Sequence, residues 1–215
     1  MTVKNILFDN DDTLYRLNTQ LRQALVAAFL VYASAKLGIP TDEVMPLRNR
    51  LFAKYGIDYS AYLFEREYGI LYNEFVRGTC MSVDLLRNGV KEDPRLKSTL
   101  NGLDERMSIL TNNYSEYASK VVMTLGVKHK FDRIIGAKEM GFAAKPDARA
   151  FLRAIELTGY APEATMFVDD KKEFLLPAKQ LGMTTVLVGG EGGYAEPWID
   201  HKIAEIYQIR KVLRG

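Results

Sequence analysis

Short apolar runs alternate with amphipathic stretches along much of the chain, and polar residues follow each apolar run. Apolar runs of four to six residues bounded by turns are typical of buried strands, whereas apolar positions three and four apart are typical of helices. Strands that alternate with helices predict an α/β fold, with a parallel sheet covered on both faces. The predicted strands are residues 3–8, 107–110, 133–135, 165–168 and 184–188, and the predicted helices between them are 115–125, 147–158 and one ending near 181.

Residues 16–100 depart from this alternation and show several helical patterns in succession. The clearest has apolar residues along one stripe of a helix. These predicted helices are 18–37, 41–53, 59–67, 71–75 and 83–87. We therefore expect a sheet-containing core from residues 1–15 and 101–215, and an inserted all-helical module from residues 16–100. The aromatic residues between Tyr55 and Phe75 are expected chiefly to fill the core of this module, although some are suited to stacking on a nucleobase.

Glycine and proline positions refine the predicted helix ends. Gly126, Gly159 and Gly182 each follow a helical pattern, where a residue that accepts a positive φ is favoured. Pro146 suits the first turn of a helix, because its missing N–H would have no partner there. Pro177 falls within the last helical pattern, and we expect that helix to start late or to kink.

Composition excludes several classes of protein. The 215 residues are 47% hydrophobic and 26% charged, and no run approaches the roughly 20 apolar residues that a membrane span needs. The N-terminus lacks the layout of a signal peptide. With 29 basic and 27 acidic residues, the net charge of +2 does not indicate a nucleic-acid polymer as partner. We expect a cytoplasmic protein without membrane association, either a monomer or a homodimer.

The single cysteine, Cys80, excludes an intrachain disulfide and a cysteine-based zinc cluster. A lone thiol is more often a small buried residue than a nucleophile. His129 and His201 do not follow predicted strands, and we expect both to lie at the surface.

Polar side chains gather at the predicted ends of the strands. In an open parallel sheet, ligands bind in the crevice at the carboxyl ends of the strands, so these side chains are expected to meet. They are Asp9, Asp11, Asp12 and Thr13 after the first strand, Thr111 and Asn112 after the second, Lys145 before a helix, and Asp169 and Asp170 after the fourth.

This set of side chains predicts a magnesium site. Two carboxylates about 4 Å apart repel by roughly 4 kcal/mol at an effective dielectric near 20, and Lys145 alone cannot offset four or five of them. A hard divalent cation can, and oxygen ligands favour Mg²⁺. A cation and a lysine together suit a phosphoryl group, because they neutralise its negative charge.

The spacing of Asp9 and Asp11 suits two different roles in phosphate-ester hydrolysis. Asp9 is placed to attack phosphorus and form an aspartyl-phosphate. Asp11 is placed to protonate the leaving oxygen and then to activate water. Thr13 and the backbone N–H groups of the turn are expected to fix the loop and meet phosphate oxygens, whereas Asp12 is expected to be a turn residue.

The ordered motifs resemble those of the haloacid dehalogenase superfamily. The resemblance covers nearly the whole chain and rests on four segments, residues 8–15, 108–112, 145–146 and 167–170. It implies a Rossmann-like core with a helical cap inserted after the first strand. It also implies roles for the site residues: Asp9 as nucleophile and magnesium ligand, Asp11 as acid/base with its carbonyl on the metal, Thr111 and Lys145 on phosphate, and Asp170, with Asp169 close by, on magnesium. Thr13 and Asn112 are expected, with Lys145, to bind the substrate.

The resemblance also implies that Asp11 favours a phosphatase over a dehalogenase, since dehalogenase members lack an acid at that position and phosphatases carry one. A finer likeness, mostly in residues 54–57 and 74–76, is to the pyrimidine 5'-nucleotidase branch. It implies a small phosphomonoester as substrate, with a nucleoside 5'-monophosphate as the leading choice. One departure is that Lys171 and Phe174 stand where the fourth motif usually has serine and an acid or asparagine. Alternatives are a phosphotransferase such as a phosphomutase, and a non-catalytic phospholigand-binding protein.

Overall fold

A computed structural model of the chain describes residues 2–189 and 196–214. Within these residues, six parallel strands form one sheet in the order β3-β2-β1-β4-β5-β6. The strands are β1 Asn5–Phe8, β2 Arg106–Leu110, β3 Arg133–Ile135, β4 Thr165–Asp169, β5 Thr184–Val188 and β6 His201–Ile203. The predicted α/β fold with a parallel sheet is therefore confirmed. Strand β6 was not predicted, because only Ile203 is buried in it and the strand has no apolar run.

The register of the central strands brings their carboxyl ends to one level. Strand β1 lies between β2 and β4, and Phe8 pairs with Ile109 on one side and with Val168 on the other. The N–H of Asp9 continues the pairing by donating to the carbonyl of Val168 at 2.9 Å. All residues of β1 and β4 are buried, as expected for strands covered on both faces. The residues that follow these strands therefore start from neighbouring positions.

Contacts divide the chain into two compact units, one of Met1–Arg16 with Glu92–Gly215 and one of Leu17–Lys91. The residues of the second unit are all described, and its regular elements are helical. They are α1 Thr19–Leu37, α2 Thr41–Tyr55, α3 Ser60–Tyr68, α4 Tyr72–Gly78 and a short 3₁₀ helix, Cys80–Ser82. The sequence analysis placed residues 92–100 in the insert, whereas the contacts place them in the first unit. The predicted role of the insert as a cap stays a prediction.

Aromatic side chains fill the interior of the helical unit. The rings of Phe64 and Phe75 lie 5.3 Å apart, and Phe29 lies 5.9 Å from Phe64 and 6.0 Å from Phe75. Edge and tilted contacts of this kind add to the stabilisation from buried apolar area. The thiol of Cys80 is also buried, as expected.

The helix predicted over residues 83–87 is wrong, because those residues form a turn. The carboxylate of Asp84 accepts the N–H of Arg87 at 3.1 Å, and the Asn88 side chain donates to the carbonyl of Asp84 at 2.7 Å. Short polar side chains of this kind compete with helical hydrogen bonds for the backbone.

The first unit has helices α5 Pro94–Asn101, α6 Ser115–Thr124, α7 Ala148–Thr158, α8 Lys172–Gln180 and α9 Ile209–Arg214. Helix α5 was missed, although Asp93 caps it by accepting the Leu96 N–H at 2.9 Å and Pro94 opens it. Asp147 caps α7, so Pro146 precedes the helix and is not in its first turn. Helix α8 begins at Lys172 and includes Pro177, so it does not start late.

The predictions about three glycines and the two histidines are confirmed. Gly126, Gly159 and Gly182 have φ values of 77°, 68° and 92° at helix ends, and the two histidines are exposed. Among the described residues, no single helix is long and apolar enough to cross a membrane; α1 and α2 reach that threshold only as a pair, across a 90° bend.

Candidate active site

Lys145 joins the ends of β1 and β4. Its ammonium Nζ lies 2.7 Å from Asp9 Oδ1 and 2.7 Å from Asp169 Oδ2. The side chains of Lys145 and Asp169 are fully buried, and that of Asp9 is 10% exposed. Burial alone would lower the pKa of Lys145, but the charges of Asp169 and Asp9 outweigh it and raise that pKa. The lysine therefore stays charged and holds two carboxylates together.

Asn112 holds the backbone of Lys145, and two aromatic rings lie near its ammonium group. The Asn112 side chain accepts the Lys145 N–H at 2.7 Å and donates to the Lys145 carbonyl at 2.8 Å. The ammonium also lies 5.2 Å from the ring centres of Phe167 and Phe174. The Asn112 amide binds the backbone of Lys145, and its predicted contact with the substrate stays a prediction. Phe174, which stands where the fourth motif usually has an acid or asparagine, has its ring beside the ammonium group of Lys145.

Asp9, Asp169 and Asp170 form an acidic cluster in which one carboxylate oxygen of each lies within 4.8 Å of the others. Both oxygens of Asp169 accept hydrogen bonds, Oδ2 from Lys145 and Oδ1 from the Lys171 N–H at 2.9 Å. Burial raises the pKa of Asp169 even though Lys145 lowers it. Burial and the charge of Asp9 raise the pKa of the partly exposed Asp170 to about 6. Of the two adjacent acids, Asp170 thus has the carboxylate less engaged by protein donors.

Asp11 lies beside this cluster in a separate hydrogen-bond network. Its Oδ1 accepts the hydroxyl of Tyr15 and, at 3.2 Å, the side-chain N–H of Asn10. Its Oδ2 accepts the side-chain N–H of Asn113 at 3.3 Å. Burial and the nearby charge of Asp9 raise the pKa of Asp11 to about 6, although Tyr15 and Asn113 lower it. A carboxyl group with such a pKa can both give and take a proton near neutral pH.

The two threonines of the motifs are buried at the same end of the sheet. Thr13 is 4% exposed, and its hydroxyl has no hydrogen-bond partner among the described residues. Thr111 is 1% exposed, and its hydroxyl oxygen accepts the Asn113 N–H at 3.1 Å. Thr13 and Asp170 also line a cavity of about 370 Å³ in the first unit. A buried hydroxyl without a partner is costly unless a ligand satisfies it.

Asp12 adopts a left-handed backbone conformation with φ 62°. Aspartate tolerates this conformation better than most residues do, which agrees with its predicted role in the turn. Asp12 lines the same cavity as Thr13 and Asp170, and its charge contributes to the raised pKa of Asp11 and of Asp170.

Sequence reasoning missed the residues that surround Asp11. Asn10 and Tyr15 belong to the first motif, and Asn113 follows the second. No spacing rule distinguishes a tyrosine or asparagine that binds a carboxylate from one that caps or fills a core. The sequence shows only that these residues lie in loops next to the site. Their hydrogen bonds to Asp11 become evident only in the tertiary structure.

Comparisons with known proteins bear on the family to which the chain belongs. The model of the haloacid dehalogenase-like hydrolases matches residues 3–182. A protein named glyceraldehyde 3-phosphate phosphatase from Methanothermobacter thermautotrophicus is 27% identical over 98% of this chain and 100% of its own length. A phosphatase of the same superfamily from Thermococcus onnurineus has a structure with a TM-score of 0.65 and 26% identity, over 99% of both chains.

A 2-haloacid dehalogenase from Pseudomonas syringae pv. Tomato has a TM-score of 0.75 at 23% identity, over 99% of both chains. At that identity the likeness concerns the fold alone. The family match spans most of the chain and includes the segments that hold Asp9, Asp11, Thr111, Lys145, Asp169 and Asp170. The chain therefore belongs to the haloacid dehalogenase-like hydrolase family.

Proposed function

We propose that the protein is a magnesium-dependent phosphatase that hydrolyses a small phosphomonoester through an aspartyl-phosphate on Asp9. The observation behind this proposal is the placement of Lys145 at 2.7 Å from Asp9, with a second acid, Asp11, two residues further on. An acid at that place is typical of the phosphatases of the family, and two of the similar proteins bear the name phosphatase.

The donor set fits Mg²⁺. At 4.8 Å and an effective dielectric near 20, each pair of carboxylates in the acidic cluster repels by about 3.5 kcal/mol. A single ammonium leaves three carboxylates with excess negative charge, and oxygen ligands suit a hard cation. Asp9 and Asp170 would hold the ion, with Asp169 beside them and the Asp11 carbonyl as a further ligand. Bound Mg²⁺ would neutralise phosphoryl oxygens and orient the ester.

The residues of the chain would perform the chemistry in two steps. Asp9 attacks phosphorus with the oxygen that Lys145 does not hold, and the bond from phosphorus to the ester oxygen breaks. Asp11 gives its proton to the leaving alkoxide, so an alcohol departs. Water then attacks the aspartyl-phosphate and gives a proton to Asp11; the bond between Asp9 and phosphorus breaks, and inorganic phosphate leaves. Lys145, Thr111 and Thr13 would bind phosphate oxygens.

The name of the Methanothermobacter relative supports a small phosphorylated three-carbon compound as substrate. The likeness to pyrimidine 5'-nucleotidases supports a nucleoside 5'-monophosphate. The two substrate classes differ in size and in the aromatic contacts that they would use, so a direct comparison of rates distinguishes them.

The test is a panel of phosphate esters assayed for phosphate release with Mg²⁺ and with a chelator. The panel includes glyceraldehyde 3-phosphate, glycerol phosphate, pyrimidine 5'-monophosphates and p-nitrophenyl phosphate, with 2-chloropropionate as a test of dehalogenation. We expect Mg²⁺-dependent release of phosphate and no release of chloride. Binding of inorganic phosphate without hydrolysis of any ester would favour the non-catalytic alternative, and phosphate transfer in the presence of a bisphosphate would favour a phosphomutase.

Asp9→Asn tests the nucleophile, because it keeps the size of the side chain and removes its charge. We expect turnover to fall below detection with the circular dichroism spectrum unchanged, and no phosphoenzyme to be trapped by acid quenching. Asp12→Asn is the matched control, since it makes the same chemical change three residues away and asparagine also tolerates a positive φ. Wild-type turnover by Asp9→Asn would contradict the mechanism.

A further inference from the structure

We propose that Tyr15 is a positioning residue that orients the Asp11 carboxyl group so that Oδ2 is the atom that gives and takes the proton. This inference rests on the proposed function, because it concerns the acid/base of the same site. Tyr15 lines the same cavity as Thr13 and Asp170, but its hydroxyl is engaged by Asp11 and Tyr117. Its hydroxyl acts on the reaction through the carboxyl group that it holds.

Tyr15 is brought to Asp11 by the turn after β1. The N–H of Leu14 donates to the carbonyl of Asn10 at 3.0 Å, and Asp11 and Tyr15 form an isolated parallel bridge. This closure places the Tyr15 hydroxyl on Asp11 Oδ1. The backbone of this loop therefore holds Tyr15 next to Asp11.

The hydrogen bonds at the two oxygens of Asp11 are unequal. A carboxylate oxygen has two lone pairs, and Oδ1 uses both, one for Tyr15 and one for the Asn10 side chain. Oδ2 accepts only from Asn113 among the described residues, which leaves one lone pair open. A proton on Asp11 has no room at Oδ1 and is directed to Oδ2.

A second tyrosine sets the direction of the Tyr15 hydroxyl. The hydroxyl of Tyr117 lies 3.3 Å from that of Tyr15, and Tyr117 is fully buried in α6. With its hydrogen donated to Asp11, the Tyr15 oxygen is free to accept from Tyr117. Burial and the charge of Asp11 raise the pKa of Tyr15, so its phenol remains a donor at working pH. Donation thus runs from Tyr117 to Tyr15 to Asp11.

Loss of this donor should affect the step that needs the proton. A poor leaving group such as the alkoxide of glycerol phosphate must be protonated as it departs, whereas p-nitrophenolate leaves without help. A hydrogen bond to a charged group corresponds to roughly a ten- to hundredfold effect on an equilibrium. A misplaced Asp11 carboxyl group should therefore lower the cleavage rate of glycerol phosphate more than that of p-nitrophenyl phosphate, and should not lower both rates equally.

The experiment measures kcat and KM of Tyr15→Phe with glycerol phosphate and with p-nitrophenyl phosphate at saturating Mg²⁺. We expect kcat for glycerol phosphate to fall about ten- to hundredfold, the rate constant of the nitrophenol burst to change less than about threefold, and both KM values to stay within about threefold. Because water activation also uses Asp11, the cleavage of p-nitrophenyl phosphate is read from the pre-steady-state burst of nitrophenol. An equal fall for the two esters would overturn the proposal.

Two further variants separate positioning from loss of structure. Tyr160→Phe removes the hydroxyl of another tyrosine, a buried one whose partners are Ser108 at 3.0 Å and Asp132 at 3.3 Å and not Asp11, and it should leave the ratio of the two rates unchanged. Tyr117→Phe removes the outer hydroxyl, and it should change the ratio in the same direction as Tyr15→Phe but less. An altered ratio in Tyr160→Phe would assign the effect to core packing and overturn the proposal.

The outcomes also separate this inference from the proposed function. A wild-type protein that cleaves neither ester contradicts the proposed function itself. A wild-type protein that cleaves both, with the ratio altered in Asp11→Asn but not in Tyr15→Phe, keeps the acid/base role and overturns only the role of Tyr15.

Discussion

Replacement of Lys145 by methionine removes the ammonium group between Asp9 and Asp169 while keeping an unbranched side chain of similar length. In the wild-type protein this group lies 2.7 Å from each carboxylate, and both it and Asp169 are fully buried. Removal of one partner from a buried ion pair typically costs about 3–5 kcal/mol, because the remaining charge is left without compensation. We expect a loss of that size in the free energy of unfolding of the metal-free protein at pH 8.

The loss should be smaller at low pH. Lys145 lowers the pKa of Asp169, so the substitution raises it further above the ordinary 3.8. A carboxyl whose folded-state pKa is raised stabilises the native state at low pH and loses that contribution as the pH rises through the folded-state pKa. Each further unit of elevation adds about 1.4 kcal/mol to the loss at pH 8. At pH 5 the Asp169 carboxyl is protonated in the native state of the variant. The variant therefore loses less unfolding free energy at pH 5 than at pH 8.

The assay is urea denaturation in a chelator at pH 5 and pH 8, followed by tryptophan fluorescence. Trp198, the only tryptophan, belongs to the first unit and reports its unfolding. Lys179→Met is the matched control, because Lys179 pairs with Asp200 at 2.5 Å but is 38% exposed, and exposed pairs contribute less than about 1 kcal/mol. Asp169→Asn added to Lys145→Met should recover part of the loss. If Lys145→Met and Lys179→Met lose the same small amount of unfolding free energy at both pH values, Lys145 does not compensate the buried charges of Asp9 and Asp169 as we infer.

Three other predictions concern the metal and the loops of the site. Mg²⁺ binding, measured by calorimetry, should be about tenfold weaker at pH 5 than at pH 7, because Asp170, with its pKa raised to about 6, takes up a proton as the pH falls and must lose it to bind the ion. Asn112→Ala should lower the free energy of unfolding by about 1–3 kcal/mol, since it leaves the Lys145 N–H and carbonyl unpaired; an unfolding free energy equal to that of wild type would contradict this role of Asn112. Gly136→Ala should destabilise the fold and reduce kcat, because the new Cβ would lie 2.7 Å from the Asn113 carbonyl oxygen; normal urea stability and normal kcat would show that this loop can move.

Much of the fold could be predicted from the pattern of apolar residues. Strands β1, β4 and β5 are buried on both faces and therefore read as continuous apolar runs, and helix α1 shows a stripe ending at Gly38. Strand β6 lies at the edge of the sheet with exposed polar residues, so the same rule cannot detect it. The turn at residues 83–87 was predicted as a helix because its hydrogen bonds depend on Asp84 and Asn88 and not on periodicity.

The sequence by itself determined which polar residues stand at the ends of the strands, because strand and turn signals are local. Asp9, Lys145 and Asp169 could be named in this way, since a parallel sheet brings its carboxyl ends to one edge. Only the tertiary structure decided what these side chains bind: Asn112 holds the backbone of Lys145, Phe174 packs against its ammonium, and Tyr15 and Asn113 hold Asp11. Hydrogen-bond partners depend on distances of a few tenths of an ångström between segments far apart in the chain, and no local pattern contains that information.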